Sequence, residues 1–147
     1  MKPRKPDPAR SALMARVRQR GTKPEQIVAS ALVGLGIAFR RNHRILAGAP
    51  DFSNRTKRWA IYVHGCFWHH HTACKKATTP NANHEFWQEK FRANRRRDAA
   101  AIRALRGLGL RVTIVWECET RNFPALTRRL SKIFESRGID VRQPVDH

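Results

Sequence analysis

The stretch "PDFSNRTKRWAIYVHG", Pro50 to Gly65, decides the fold because it reads as two strands folded back on each other. Asn54 to Lys57 is polar and turn-forming, while Trp59 to Val63 has the length and the aromatic, β-branched composition of a buried strand. Asp51 enters this hairpin and His64 leaves it, so both side chains are expected at one end of a sheet. Upstream, "IAFRR" (Ile37 to Arg41) reads as a further short strand, and downstream "LRVTIVWE" (Leu110 to Glu117) as another buried one.

Helices surround these strands. "TKPEQIVASALVGLG" has an N-cap in Thr22, Pro24 in its first turn, and Ile27, Val28, Ala31, Leu32 and Leu35 on one face, with Gly34 and Gly36 closing it. "NHEFWQEKFRANRRRDAAAIRALRGLG" is a long helix with Trp87, Phe91, Asn94, Asp98, Ile102 and Leu105 along one stripe and arginine on its outer face. "FPALTRRLSKIFESRG" is amphipathic, with Leu126, Leu130, Ile133 and Phe134 inward. A strand that follows a long helix joins its sheet by a crossover, so the expected class is α/β, a mixed β-sheet core flanked by helices.

The 147 residues fit one domain, here residues 21–147, preceded by a basic arm over residues 1–20. Thirty Lys and Arg against eleven Asp and Glu leave +19, a self-repulsion that a polyanion relieves, and nucleic acid is the first partner to expect. No window approaches the about eighteen apolar residues of a membrane span, and "MKPRKPDPAR" lacks the apolar core of a signal peptide, so a cytoplasmic protein is expected. Three cysteines clustered with histidines suit a metal better than a disulfide framework.

"YVHGCFWHHHTACKK", Tyr62 to Lys76, holds four of the seven histidines and two of the cysteines. Cys66, His71 and Cys74 have C-x4-H-x2-C spacing, and Cys118 lies just past the last strand, where the fold can bring it near. Three thiolates and one imidazole close a tetrahedral zinc site with no position left for water, which makes the metal structural, although spacing alone does not select the histidine. Asp51 can hold Mg2+ with His64 beside it, or can equally be an Asx-turn residue beside a strand terminator. Glu25 completes a Thr-x-x-Glu capping box with Thr22, which accounts for it without catalysis. Phe67, Trp68 and Trp87 can wedge between bases or pack in a core. Lys90, Arg95, Arg96 and, in the arm, Arg16, Arg18 and Arg20 are expected phosphate contacts.

Taken together, "HGCFWHHH", "TTPNANHEFWQEKFRANRRRD" and "LRVTIVWEC", preceded by "TKPE" and "GAPDF", resemble the very-short-patch repair (Vsr) mismatch endonucleases over roughly residues 11 to 120. The resemblance implies a restriction-endonuclease-like core and an Mg2+-dependent enzyme. Such an enzyme nicks one DNA strand 5′ of the thymine in a T:G mismatch, the product of 5-methylcytosine deamination. It further implies Asp51 and the Val63 carbonyl as Mg2+ ligands, His69 as the base that activates water with His64 beside it, and Glu25 and Asp98 as acidic positions near that centre. Cys66, His71, Cys74 and Cys118 match the structural zinc ligands, and Phe67, Trp68 and Trp87 the aromatics that insert beside the mismatch. A histidine-dependent mechanism predicts that activity falls as His69 is protonated, nominally near pH about 6.5.

The expected actor is a monomer on mismatched duplex DNA, bacterial and nucleoid-associated in use, with a cytosine methyltransferase and mismatch-repair proteins as possible associates. Two other readings compete with it. One is a restriction-like or structure-specific endonuclease, and the other a non-catalytic zinc-dependent DNA-binding module.

Overall fold

Alternation along one central strand determines which helix covers which face of the sheet. The computed structural model describes residues 22–42, 49–66, 71 and 82–142. Its elements run α1 (Lys23–Gly34), β1 (Arg40–Arg41), β2 (Phe52–Asn54), β3 (Trp59–His64), α2 (His84–Gly107), β4 (Arg111–Trp116), a 3-10 turn (Glu117–Arg121) and α3 (Phe123–Ser136). The strands form one sheet in the order β1-β2-β3-β4, antiparallel except for the parallel β3–β4 pair that α2 connects. The expected mixed α/β sheet is thus present among the described residues. The basic arm, with Arg16, Arg18 and Arg20, lies outside them.

Trp59 and Ile61 of β3 point into the larger core, packed with Val28, Ala31, Leu32 and Leu35 of α1 and its C-cap, and with Leu126, Leu130 and Phe134 of α3. Ala60 and Tyr62 point the other way, onto Leu105 and Leu110 with Ala101 and Ile102 of α2 beside them. A strand buried on both faces reads as a continuous apolar run, which is why "WAIYV" lacks polar alternation. Trp59 is fully buried, and its ring meets Phe134 edge-on at 5.1 Å.

The ends of α1 follow the sequence signals. The Thr22 hydroxyl accepts the Glu25 N–H at 3.4 Å, and Pro24 sits in the first turn, where its missing N–H costs nothing. Gly36 takes a φ of +71°, which lets Ile37 N–H reach back to the Leu32 carbonyl at 3.0 Å and seal the helix end. In the hairpin, the Asn54 carboxamide oxygen accepts the Lys57 N–H at 3.0 Å and so closes the turn.

Strand β1 is shorter than the "IAFRR" reading, pairing only Arg40 with Ser53 and Arg41 with Phe52. Its partner β2 is three residues long, and beyond it the Asn54 amide donates to the Ala38 carbonyl at 3.1 Å, so a side chain replaces the next rung of the ladder. Among the described residues no helix is long and apolar enough to cross a membrane.

Trp59→Ala should lower unfolding free energy by about 3–5 kcal/mol in a denaturant titration, because it empties the centre of the larger core. An unchanged midpoint and slope would show that the core does not depend on this ring.

Candidate active site and metal cluster

Parallel pairing of β3 with β4 runs in step from Trp59↔Arg111 to His64↔Trp116, so both strands finish level at one end of the sheet. In α/β sheets this carboxyl end is where ligands bind. The chain leaves β3 through Gly65 to Cys66, and leaves β4 through Glu117 to Cys118.

Cys66, His71 and Cys118 meet there, with their ligand atoms all within 4.8 Å of one another. His71 Nδ1 is 3.7 Å from the Cys66 sulfur and 3.6 Å from the Cys118 sulfur, and the His71 N–H donates to the Cys66 carbonyl at 2.9 Å. Soft and borderline donors gathered this closely can share one small cation. Cys74, the fourth ligand expected from the sequence, lies outside the described residues.

Cys118 is held by a clamp that sequence reasoning did not anticipate. Glu119 accepts the Trp116 N–H at 2.8 Å with one carboxylate oxygen and Arg129 at 2.7 Å with the other. Arg129, reaching over from α3, also donates to the Ile114 carbonyl at 3.2 and 3.3 Å. The last rung of β4, the 3-10 turn and α3 are thereby tied around Cys118. The partners are ten residues apart and on different elements, so no local spacing announces them.

Asp51 lies beside the same sheet end. Its carboxylate accepts the Val63 N–H at 2.6 Å, and its own carbonyl accepts the Asn42 N–H at 3.0 Å. By the register, two residues beyond the Phe52–Ile61 pair, Val63 faces Pro50, which has no N–H to offer the Val63 carbonyl and so cannot complete an ordinary ladder pair. The Asp51 side chain takes the place of a strand partner. Because the N–H and C=O of one strand residue point the same way, the Val63 carbonyl leaves β3 on the side of the Asp51 carboxylate.

On the α2 face, Tyr62 carries the electrostatic imprint of two carboxylates. Burial, with Asp51 and then Asp98 adding repulsion, pushes its phenol up to about 12. Asp98 is half-buried on α2, one turn before the Ile102 that packs in the same cluster. His64 is buried next to Tyr62, with ring centroids 5.6 Å apart, and meets Trp116 edge-on at 5.3 Å. Trp116 in turn stacks flat on His71 at 4.0 Å. Sequence reasoning gave Trp116 no role, and its place between a buried strand and Cys118 was the signal that could have found it.

The remaining sequence-derived site residues fall in three groups. Glu25 is 4 % exposed in the first turn of α1, with the hydroxyl arm of its capping box formed. Trp87 is 4 % exposed, between Phe86 at 5.5 Å and Phe91 at 6.0 Å, with Lys90 above its ring, while Lys90, Arg95 and Arg96 are exposed along α2. His69, Phe67 and Trp68 lie outside the described residues.

Comparison with known proteins identifies relatives of the chain. Residues 5–76 match the family model described as DNA mismatch endonuclease Vsr. The chain is 45% identical to DNA mismatch endonuclease Vsr of Escherichia coli over 118 residues, which is 80% of this chain and 75% of that protein. It is 40% identical to the type II nicking enzyme V.XorIIP of Xanthomonas oryzae, over 86% of this chain and 92% of the relative. It is also 35% identical to the type II nicking enzyme V.NmeAIP of Neisseria meningitidis, over 84% and 88%.

Tyr62 is the sole tyrosine, so its ionisation can be read directly as tyrosinate absorbance. The folded protein should titrate near 12, against about 10 in denaturant, and Asp51→Asn or Asp98→Asn should each lower the folded midpoint. The unfolded phenol ionises first, so stability is unaffected below about pH 10 and is lost as pH rises from there through the folded value. A folded midpoint near 10 would mean that the phenol is neither buried nor beside these carboxylates.

Proposed function

This chain belongs to the Vsr family of DNA mismatch endonucleases, and from that premise we propose that it nicks one strand of duplex DNA 5′ of the thymine in a T:G mismatch. The observation that carries the reading is the Asp51 carboxylate bonded to Val63 N–H at the end of the sheet. The mixed sheet with helices on both faces is consistent with a restriction-endonuclease-like core.

In this reading Asp51 and the Val63 carbonyl hold Mg2+, a hard cation that prefers oxygen ligands and, when bound, supplies Lewis-acid stabilisation of charge on the scissile phosphate. His69 takes the proton of the attacking water, whose oxygen joins phosphorus as the bond to the leaving oxygen breaks. His64 assists at the same centre, and Asp98 and Glu25 contribute negative charge around the cation. Phe67, Trp68 and Trp87 wedge the mismatch open, and Lys90, Arg95 and Arg96, with Arg16, Arg18 and Arg20 of the arm, hold phosphates. A single centre cuts a single strand, so a monomer suffices. The lesion arises wherever a cytosine-5 methyltransferase acts, which makes such an enzyme the natural functional associate.

For the second metal, the separations within the cluster are informative. A thiolate sulfur and an imidazole nitrogen bound to one tetrahedral zinc stand about 3.6 Å apart, from bond lengths of about 2.3 and 2.0–2.1 Å. His71 and the two cysteines have 3.6 and 3.7 Å, which supports zinc held by Cys66, His71, Cys118 and Cys74. Its chemistry there is structural.

The deciding assay is strand-resolved cleavage of end-labelled duplexes with Mg2+, comparing T:G, matched C:G and matched T:A in several flanking sequences. The expected product is a nick only 5′ of the mismatched thymine. Equal cleavage of matched DNA would instead favour a restriction-like nuclease, and binding without any cut a non-catalytic module. Asp51→Asn keeps an acceptor for Val63 N–H but loses the charge, and should lower nicking by at least about a thousandfold with DNA binding retained. Full activity in that variant would remove Asp51 from the site.

Loss of one thiolate should show in the metal itself. Cys118→Ala is expected to come through purification with less than one zinc per chain and a lowered thermal midpoint. Unchanged zinc content would exclude Cys118 as a ligand.

A further inference from the structure

Trp116 is the last residue of β4, and the parallel register sets it directly beside His64 of β3. One face of its indole lies flat on His71, centroids 4.0 Å apart and planes within 7°. The His64 ring meets the same indole edge-on at 5.3 Å and 77°. One side chain therefore touches both a metal-cluster histidine and the buried histidine at the end of β3.

The geometry of an imidazole ligand gives the flat contact a purpose. A ring nitrogen donates its lone pair in the ring plane, so rotation about the bond to the ring swings Nδ1 away from the cysteines. An indole stacked on the face blocks that rotation while leaving the edge, and Nδ1, toward the two sulfurs at 3.6 and 3.7 Å. The backbone that carries the indole is fixed as well, because the Trp116 main-chain N–H is held by Glu119, and Glu119 by Arg129 of α3. Outward from His64, the rings continue to Tyr62 at 5.6 Å, whose phenol senses Asp51 and Asp98.

We propose that Trp116 is a positioning residue that carries the order of the metal cluster to His64, by stacking on His71 with its face and bracing His64 with its edge. The cluster is then more than a staple for the loop after β3. Its filling fixes His71, His71 fixes the indole, and the indole sets where His64 stands relative to Asp51. This deepens the nicking reading and rests on it for its kinetic consequence, though not for the cluster contact itself.

The test compares Trp116→Phe, which keeps a flat ring, with Trp116→Leu, which keeps apolar bulk without a face. Each is prepared with Co2+ in place of zinc and with zinc for kinetics. In Trp116→Leu the visible Co2+ bands should shift and lose intensity, and single-turnover nicking of a T:G duplex should fall by roughly 10–100-fold, the usual cost of losing a partner behind a metal ligand. DNA affinity should stay within about threefold, since binding rests on the basic faces. Trp116→Phe should restore most of the spectrum and the rate.

A Leu variant equal to the unmodified protein in both readouts would overturn the proposal, as would Phe and Leu variants losing rate equally and only in proportion to lost thermal stability. The Co2+ comparison does not depend on activity. An unmodified protein that fails to nick T:G duplexes defeats the nicking reading, while the spectra still decide whether Trp116 orients His71.

Discussion

The parallel pairing of β3 with β4 is the constraint on which the rest of the molecule depends. It holds two strands in step over six rungs, so that His64 and Trp116 finish level and the chains leaving them reach Cys66 and Cys118 on the same side. A slip of one residue would turn Trp59 and Ile61 out of the larger core and carry His64 to the opposite face, so burial on both faces of β3 fixes the register strongly. The core thus acts as the ruler for the site.

The elements were legible because their signals are local. Thr22, Pro24 and Gly36 mark the limits of the first helix, Asn54 marks the turn, and a 24-residue helix before β4 announces a crossover. What stayed hidden depends on contacts between elements. The 3-10 turn around Cys118 is made by Glu119 and Arg129, and the shortness of β1 by the Asn54 amide on Ala38, neither of which has a pattern in the chain. Within the site, Asp51 and Cys118 were suggested by composition and order, and the Cys66–His71–Cys118 grouping is indeed formed. That the carboxylate would bond Val63 N–H needed the register that sets Asp51 beside the end of β3. Trp116 escaped notice because a tryptophan ending a buried strand reads as core until its two histidine neighbours are seen.

The charge balance gives the site its final logic. A net charge of +19 favours a polyanion, yet Glu25, Asp51 and Asp98 are all withdrawn from solvent to some degree, and two of them press on the Tyr62 phenol. Carboxylates held out of water are stable only with hydrogen bonds or cations, and Asp51 has spent one of its oxygens on Val63 N–H. Their negative charge also opposes a phosphate approaching along the basic face of α2. In the proposed reading, a divalent cation between Asp51 and the phosphate would resolve both difficulties at once, since it would neutralise the carboxylate and turn repulsion into a bridge. Strong positive charge around a small negative centre fits that proposal: the field would bring the backbone in, and the metal would decide which phosphate comes close enough to react.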